Sequence, residues 1–376
     1  MKNMEHNNFQ GVRTTSRDSS VGLVCHYQFE NGSSQFLFLD DAENGAVLNN
    51  SLSFFTENFV QSLASSNGLI LLSGYSVDQP CYYVFNPLTK NSHLIPQAST
   101  LGRIIRIGLA YDGSQFEVVI VEAGSSSESN GLELHIFSSG TGCWSRKHLT
   151  NLTLPSLPEF EFQELGTPPL YSNGGIHWEI AGYLLVYQVK GSHCELFELP
   201  NLFDDWSWQS TMTYRRSLCE SGGRVYYCYT DFDGFHIWDL LNEDDILGTY
   251  YACIDSKRFR WRLVQSIMHE VFISKYQIFY GRFIDWEPYK ISPIGYSEQA
   301  RSIYLQIPGT VVSYNFDTGI MRTICNYSYP GINFNCCKFL PLIASGVTNG
   351  TREVDLLPKE QMELNLPIAE METLSL

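Results

Sequence analysis

The sequence predicts an all-β fold, and three observations lead to that prediction. Phe, Tyr and Trp make up 14% of the residues, and aromatic side chains favour pleated, half-buried strands. From Val21 onward, short apolar runs alternate with Gly, Asn, Asp, Ser and Pro, which is the pattern of strands and turns. Amphipathic helix periodicity is hard to find before Gly346. A chain of 376 residues is long enough for one large domain or two ordinary ones.

The apolar runs recur as similar units, each of which opens with a small-residue turn and a strand. Examples are NGLILLSG at 67–74, NGGIHWEI at 173–180 and ESGGRVYYCY at 220–229. A later strand of the unit ends in a polar turn, as in FNPLTKN, FSSGTG, YQVKGS and YNFDTG. Glycine readily adopts the positive φ that such tight turns need. The proline of Asn86-Pro87 has no backbone N–H, and a turn position needs none because it lies outside the hydrogen-bond ladder of the strands.

One β-meander cannot bury both of its faces alone, so several must stack. Units spaced by roughly 40–60 residues, each of about four strands, indicate a β-propeller, here of about six to seven blades. A large β-sandwich is the alternative, but a sandwich rarely needs more than about 10 strands. We expect VGLVCHYQF at 21–29 or QFLFLD at 35–40 to pair with the late strand FNCCKFLPL at 334–342 and close the ring.

Composition divides the chain into three parts. Residues 1–20 are polar and aperiodic and are predicted to be a flexible N-terminal segment, whereas 21–345 form the propeller domain. The acidic stretch 346–376 lacks aromatic residues and contains Pro358 and Pro367, so we predict a disordered tail.

Charge and cysteine usage exclude several classes of function. The formal net charge of −16 argues against nucleic-acid and anionic-membrane partners, which need a basic footprint. The N-terminus has no apolar signal region and no run of about 18 apolar residues occurs, so we expect a cytoplasmic or nuclear protein. The ten cysteines contain no CxxC pair, so we interpret them as reduced core residues and expect neither metal nor cofactor.

Several motifs, taken in order, resemble the plant F-box-associated domain. The stretch SSNGLILLSG at 65–74 followed by YYVFNPLTKNSHLIP at 82–96 resembles its Asn-Gly strand and Asn-Pro turn. Further segments continue the resemblance over about residues 50–340: GLAYDG at 108–113, GGIHWEI at 174–180, CELFELP at 194–200, FHIWDL at 235–240 and YNFDTG at 314–319.

The resemblance implies a kelch-like β-propeller that recruits a target protein to a Skp–cullin–F-box ubiquitin ligase and is itself no enzyme. Members usually carry a helical N-terminal F-box that binds the Skp adaptor. Residues 1–20 precede the first predicted strand here and do not fit such a segment. Skp and cullin are therefore expected as partners only if an F-box is supplied elsewhere.

The best candidates for binding a protein partner are large side chains in loops, because exposed loop aromatics anchor protein interfaces. The segment 200–210 carries Asp204, Asp205, Trp206 and Trp208, and 283–290 carries Trp286 and Tyr289. Tryptophan also wedges between propeller blades, so core packing is the alternative role for these three tryptophans.

Two rival functions stay open. A carbohydrate-binding or hydrolytic propeller would bring the acidic and Trp-rich segments 203–208 and 242–245 together in one pocket. However, no GxSxG, HExxH, P-loop or GxGxxG motif is present. An F-box-less decoy would bind the target without recruiting a ligase. His177 beside Trp178 lies in a strand pattern and is expected to be a buried, hydrogen-bonded core histidine.

Overall fold

The computed structural model of this protein describes sixteen ranges of the chain. They are 21–28, 34–40, 48–51, 60–76, 79–86, 91–99, 103–123, 132–149, 167–180, 182–200, 216–231, 233–241, 260–280, 291–307, 310–326 and 338–343. The predicted N-terminal segment 1–20 and the predicted tail 346–376 lie outside them. Within these ranges, no helix is long and apolar enough to cross a membrane.

The described strands form six antiparallel groups of four, which we call blades 1–6. Blade 1 contains β24 (Lys338–Ile343), β1 (Val21–Gln28), β2 (Ser34–Asp40) and β3 (Leu48–Ser51) in that spatial order. Blade 2 contains β4 (Val60–Ser66), β5 (Leu69–Ser76), β6 (Gln79–Asn86) and β7 (Asn91–Ile95). Blade 3 contains β8 (Arg103–Tyr111), β9 (Phe116–Ala123), β10 (Leu132–Ser138) and β11 (Cys143–Leu149).

The remaining three blades follow the same plan. Blade 4 contains β12 (Leu170–Ser172), β13 (Gly175–Ile180), β14 (Tyr183–Gln188) and β15 (His193–Glu198). Blade 5 contains β16 (Arg216–Ser221), β17 (Arg224–Thr230), β18 (Gly234–Leu240) and β19 (Trp261–Met268). Blade 6 contains β20 (Ser292–Ser297), β21 (Ser302–Ile307), β22 (Thr310–Asn315) and β23 (Met321–Asn326).

The first strands of the blades contact one another in a closed cycle. β4 contacts β8, β8 contacts β12, and the sequence continues through β16, β20 and β24 back to β4. β24 also pairs antiparallel with β1, from Lys338 opposite His26 to Ile343 opposite Val21. This confirms both the β-propeller prediction and the predicted pairing of an early with a late strand, and it excludes the β-sandwich. One parallel pairing, Ser65 with Leu170, additionally joins blades 2 and 4.

Apolar side chains fill the spaces between neighbouring blades, which is why the meanders must stack. Between blades 3 and 4, for example, Val119, Val121 and Leu134 pack against Trp178 and Tyr187. Equivalent clusters lie between blades 2 and 3, blades 4 and 5, and blades 5 and 6. Blades 3, 4 and 5 therefore each bury one face against each neighbour, and these interfaces contribute hydrophobic free energy to the fold.

The turn between the first and second strands repeats in three blades. Its sequences are Ser66-Asn67-Gly68, Ser172-Asn173-Gly174 and Ser221-Gly222-Gly223, and both central residues of each turn have positive φ. That geometry defines the type I′ hairpin turn, which Asn-Gly and Gly-Gly favour.

These turns also join neighbouring blades. Asn67 Nδ2 donates to the Tyr111 carbonyl at 2.6 Å, which links blade 2 to blade 3. Asn173 Nδ2 donates to the Gly223 carbonyl at 2.9 Å, and the Glu298 amide donates to Ser221 Oγ at 2.8 Å. The repeated small-residue turn noticed in the sequence therefore has a second role as an inter-blade contact.

Asn173 allows these two roles to be separated. At Asn173, φ is +51°, so Asn173→Gly keeps the backbone conformation and loses the hydrogen bond, at an expected cost of about 0.5–1.5 kcal/mol. Asn173→Ala loses both, and should cost roughly 1 kcal/mol more. Urea unfolding of the two variants measures the difference. Equal destabilisation by glycine and alanine would contradict a conformational role for this asparagine.

One helix, α1 (His269–Tyr280), follows β19, in a stretch of sequence without an amphipathic stripe. Its Phe272 is buried, with ring centroids 5.2 Å from Phe235 of blade 5 and 6.1 Å from Tyr314 of blade 6. Tertiary packing of Phe272 against rings of two blades, rather than a periodic apolar face, stabilises the described part of the helix, and local periodicity cannot reveal such a contact.

The described cysteines only partly follow the prediction that they are core residues. Cys219 and Cys228 are buried, Cys81 and Cys194 are half-buried, and Cys143 is exposed. Cys143 is the first residue of the edge strand β11, directly after the turn at Gly142, where nothing covers it among the described residues. All five are reduced thiols.

Candidate functional site

The six residues predicted to bind a partner lie outside the described residues. Asp204, Asp205, Trp206 and Trp208 belong to the connection between β15 and β16, and Trp286 and Tyr289 belong to the connection between α1 and β20. The acidic run 242–245 belongs to the connection between β18 and β19 and is also outside. Their role in binding, and the convergence of carboxylates and tryptophans in one pocket, remain predictions.

The described ends of two of these connections meet at the junction of blades 4 and 5. Trp261 Nε1, at the start of β19, donates to the Glu198 carbonyl at the end of β15 at 2.9 Å. The Arg260 guanidinium lies 4.8 Å from the centroid of the Phe197 ring. The Leu241 amide donates to the Arg260 carbonyl at 2.7 Å, so the connection 242–259 leaves and returns at one point. Segments 201–215 and 242–259 are thus attached beside each other.

A buried polar cluster lies between blades 3, 4 and 5, and we call its four members the Arg–Glu cluster: Arg106, Thr167, Glu179 and Arg216. The guanidinium of Arg216, the first residue of β16, contacts Glu179 Oε1. Thr167 Oγ1 donates to Glu179 Oε2 at 2.5 Å. Arg106 Nε donates to the backbone carbonyl of Glu179 at 2.9 Å, and its Nη1 donates to the Ile105 carbonyl, also at 2.9 Å.

The charges of the cluster do not balance among the described residues. It contains two guanidiniums and one carboxylate, and both oxygens of that carboxylate are occupied by Arg216 and Thr167. Burial lowers the pKa of Arg106 to about 10, and the nearby charge of Arg216 adds to this effect. Burial lowers the pKa of Arg216 as well. Both guanidiniums remain protonated near neutral pH, and of the two only Arg216 lies within ion-pair distance of a carboxylate of the described residues, that of Glu179.

The cluster adjoins the predicted partner-binding segment. Arg216 directly follows the connection 201–215, and Thr167 directly follows the connection 150–166. Tyr227, on β17, is fully buried, and its hydroxyl has no hydrogen-bond partner in the described part of the chain. Burial raises the pKa of Tyr227, while the charge of Arg216 acts in the opposite direction.

The sequence patterns used to select site residues do not include this cluster, although the sequence carries a signal for it. Arg106 interrupts the apolar run RIIRIGLAY of β8, and Glu179 stands in the apolar strand GIHWEI of β13. A charged residue inside a buried strand is rarely found without a partner of opposite charge. Which of these charged residues contact one another depends on which strands are neighbours. That cannot be read from the sequence, because the residues of the cluster come from three blades.

A second group, on blade 5, contains Ser266, His236 and Asp231. Ser266 Oγ lies 3.1 Å from His236 Nδ1, and Asp231 Oδ2 lies 3.0 Å from His236 Nε2. The sequence did not reveal it, because the serine and the histidine meet only through the cross-strand pairing of β18 with β19. The same three residue types carry out nucleophilic catalysis elsewhere, so the surroundings must be considered.

The surroundings favour a structural role for this group. Asp231 Oδ1 accepts the amides of Asp233 and Gly234 at 2.8 and 3.0 Å and thereby shapes the turn between β17 and β18. The amide of His269, the first of α1, donates to the Asp233 carbonyl at 3.0 Å and is not free to stabilise an oxyanion. Burial acts to raise the pKa of Asp231, but the bonds from His236 and Gly234 hold it below its usual range.

His177 and Trp178 lie where the sequence predicted, inside the core. His177 is 4% exposed and Trp178 is fully buried. His177 Nδ1 is 3.3 Å from the Leu170 carbonyl, and because a carbonyl can only accept, this nitrogen carries the proton. Burial lowers the pKa of His177 to about 4 from its ordinary 6.5. The imidazole is therefore neutral at physiological pH.

This lowered pKa predicts a loss of stability in mild acid. The unfolded chain takes up a proton on His177 near pH 6.5 and the folded chain only near pH 4, so the free energy of unfolding falls between these values. The full effect is roughly 3 kcal/mol. Urea unfolding at pH 7 and pH 4 should show a smaller fall in the free energy of unfolding for His177→Gln than for the wild type. The other titrating groups are the same in both proteins and cancel in this comparison. Identical declines would contradict a neutral buried histidine.

In the described ranges, no group of three or more His, Cys, Asp or Glu side chains is arranged to hold a metal ion. The prediction that the protein uses no metal or cofactor is not tested by this observation.

Comparison with known proteins agrees with the propeller architecture. A family described as "F-box protein At3g26010-like, beta-propeller" matches residues 45–280. "F-box protein At5g07610" from Arabidopsis thaliana is 22% identical over 313 residues, which cover 77% of this chain and 69% of that protein.

Two of the similar solved structures illustrate the level of structural likeness. One is a chain from a nidogen/laminin complex, with a TM-score of 0.44 and 8% sequence identity; the match covers 86% of this chain and 99% of that chain. The β-propeller domain of the Trilobed protease from Pyrococcus furiosus has a TM-score of 0.37 at 10% identity and covers 84% and 97%. At such scores, the strand pairing within this chain, and not the likeness, defines its fold.

Proposed function

Because the chain belongs to the family of At3g26010-like F-box protein β-propellers, we propose that it is a non-catalytic receptor that binds a target protein for an SCF-type ubiquitin ligase. A role in protein interaction in general follows from the family. Recruitment of the bound target to the ligase goes beyond this general role and is specific to the proposal. The observation that carries it is the match to an F-box protein propeller over residues 45–280.

The described residues add support for partner binding. Two connections that carry the predicted binding side chains or the acidic run are attached side by side at the junction of blades 4 and 5. Four of the tryptophans are described, namely Trp144, Trp178, Trp238 and Trp261, and all lie at contacts between blades. The partner-binding role thus falls on Trp206, Trp208 and Trp286, which belong to connections.

The ligase part depends on an F-box. Skp and cullin are proposed as the partners that an F-box acting together with this propeller would bring. Without one, the same propeller would act as a decoy that holds the target away from the ligase. Both versions place the protein in the cytoplasm or nucleus, where its targets would be ubiquitinated.

Affinity purification from plant extract tests the proposal. The full chain is used as bait beside the double variant Trp206→Ala/Trp208→Ala, with Trp144→Ala as the control tryptophan. We expect a set of proteins that the wild type and Trp144→Ala both retain, together with the Skp adaptor. The retained amount of these proteins should fall at least tenfold with the double variant. Retention of targets without any Skp adaptor would overturn ligase membership and favour the decoy. Identical protein sets for all three baits would overturn target binding by these loops.

A further inference from the structure

The Arg–Glu cluster contains a guanidinium for which the described chain offers no anion. Arg106 donates only to two backbone carbonyls, those of Ile105 and Glu179. No carboxylate of the described residues lies within ion-pair distance of it, whereas Arg216 contacts Glu179 directly. An arginine has five N–H donors, so most of the capacity of Arg106 is unused.

Arg106 is less enclosed than the other members of the cluster. Its side chain is half-buried, whereas Thr167, Glu179 and Arg216 are buried. Its Nη2 makes no hydrogen bond within the described ranges. A guanidinium whose Nε and Nη1 are already held by backbone carbonyls is oriented for an incoming ligand, because part of its side-chain entropy has already been lost.

We propose that Arg106 is the recognition point for an anionic oxygen group, a carboxylate or a phosphate, on the protein that this propeller binds. The inference rests on the proposed receptor function and names the chemistry of its partner. Arginine binds both groups through N–H donors held in a fixed planar arrangement.

The net charge of −16 does not oppose this assignment. At physiological ionic strength the screening length is about 8 Å, so distant surface carboxylates are weakly felt, whereas partly buried charges are screened much less. The charge of Arg106, which has no carboxylate of the described residues within ion-pair distance, decides which ligand is attracted. The overall negative charge instead limits non-specific binding of acidic molecules elsewhere on the surface.

A purely structural role is the competing explanation, since Arg106 links blade 3 to the backbone of blade 4. The two roles predict different responses to anions. A structural arginine affects the stability of the fold equally in every buffer. A recognition arginine makes stability depend on a saturable anion, because a ligand that binds only the folded state stabilises it.

Thermal unfolding of the full chain provides the test, with inorganic phosphate and glutarate as separate probes titrated against chloride at constant ionic strength. For the wild type we expect a saturable rise of about 1–3 °C with at least one probe. General exclusion of anions from the protein surface raises the transition temperature without saturation and so can be recognised. Response to phosphate alone indicates a phosphorylated partner, and response to glutarate indicates acidic side chains.

Three variants complete the experiment. Arg106→Gln should lose the saturable rise, and Arg106→Lys should weaken half-saturation at least threefold because the paired donors are lost. Arg322→Gln, at an exposed position of β23, should behave as the wild type. No saturable rise in the wild type, or an equal rise in wild type and Arg106→Gln, overturns the inference. If Arg106→Gln fails to fold, unchanged half-saturation in Arg106→Lys overturns it instead.

The outcome is separable from that of the receptor proposal. Saturable binding at Arg106 without any loop-dependent target in the affinity purification would leave the anion site standing and remove the receptor. If targets depend on the loops but the anion response is the same in Arg106→Gln as in the wild type, the receptor proposal stands and the anion site is removed.

Discussion

Glu179→Ala is expected to destabilise the protein by about 3–5 kcal/mol, because it leaves Arg216 buried without its carboxylate. The loss exceeds that of an ordinary ion pair, since Arg106 already adds a second positive charge to the same place. The free energy of unfolding in urea, compared with that of the wild type at pH 7, measures it.

Two further variants separate charge burial from simple truncation. Glu195→Ala removes a carboxylate of the same blade that faces solvent opposite His193 and should cost less than about 1 kcal/mol. Adding Arg216→Met to Glu179→Ala should restore much of the loss, because an apolar residue replaces a buried guanidinium that has lost its ion pair with Glu179. If the double variant is as unstable as Glu179→Ala, the cost arises from packing and not from charge.

Trp178→Ala is expected to destabilise the protein by about 3–5 kcal/mol through the cavity it opens between blades 3 and 4. The packing here is tight: a Cβ added at Gly108 of β8 would lie 2.7 Å from Trp178 Cζ2. The glycine thus lets the indole approach the neighbouring backbone, and the site has little freedom to collapse after truncation. Urea unfolding again provides the measurement.

Matched tryptophan variants test this explanation. Trp178→Phe should cost only a fraction of the alanine change, since Trp178 Nε1 has no hydrogen-bond partner in the described chain to lose. Trp144→Ala removes a half-buried indole that donates to the Pro96 carbonyl at 2.7 Å, at an expected cost of about 1–2 kcal/mol. A Trp178→Ala cost no greater than that of Trp144→Ala would mean that the interface between the blades relaxes.

Much of the fold could be predicted from local patterns. The Asn-Gly and Gly-Gly turns require positive φ, and alternating aromatic and aliphatic residues mark strands that are buried between blades. Helix α1 was not predictable in this way. Its register depends on Phe272 reaching rings of two different blades, and these rings lie about 40 residues away on either side in the sequence.

The candidate site divides in the same manner. Loop tryptophans such as Trp206 can be selected from sequence because they stand in polar connections, but their geometry depends on contacts that sequence does not specify. Arg106 and Glu179 could be recognised as unusual within apolar strands. That they meet Arg216 could not be foreseen, because each belongs to a different blade.

The sequence by itself determined the all-β meanders, their turn chemistry, the ring closure and the family, since these depend on residue type and on spacing along the chain. The tertiary structure alone decided that Glu179 binds Arg216 through its carboxylate and Arg106 through its backbone carbonyl, that Ser266 and His236 meet, and that Trp178 fits against Gly108. Local patterns are fixed by neighbouring residues and steric limits on φ and ψ. Contacts between blades depend instead on which faces the closed ring brings together, and charge balance can be judged only there.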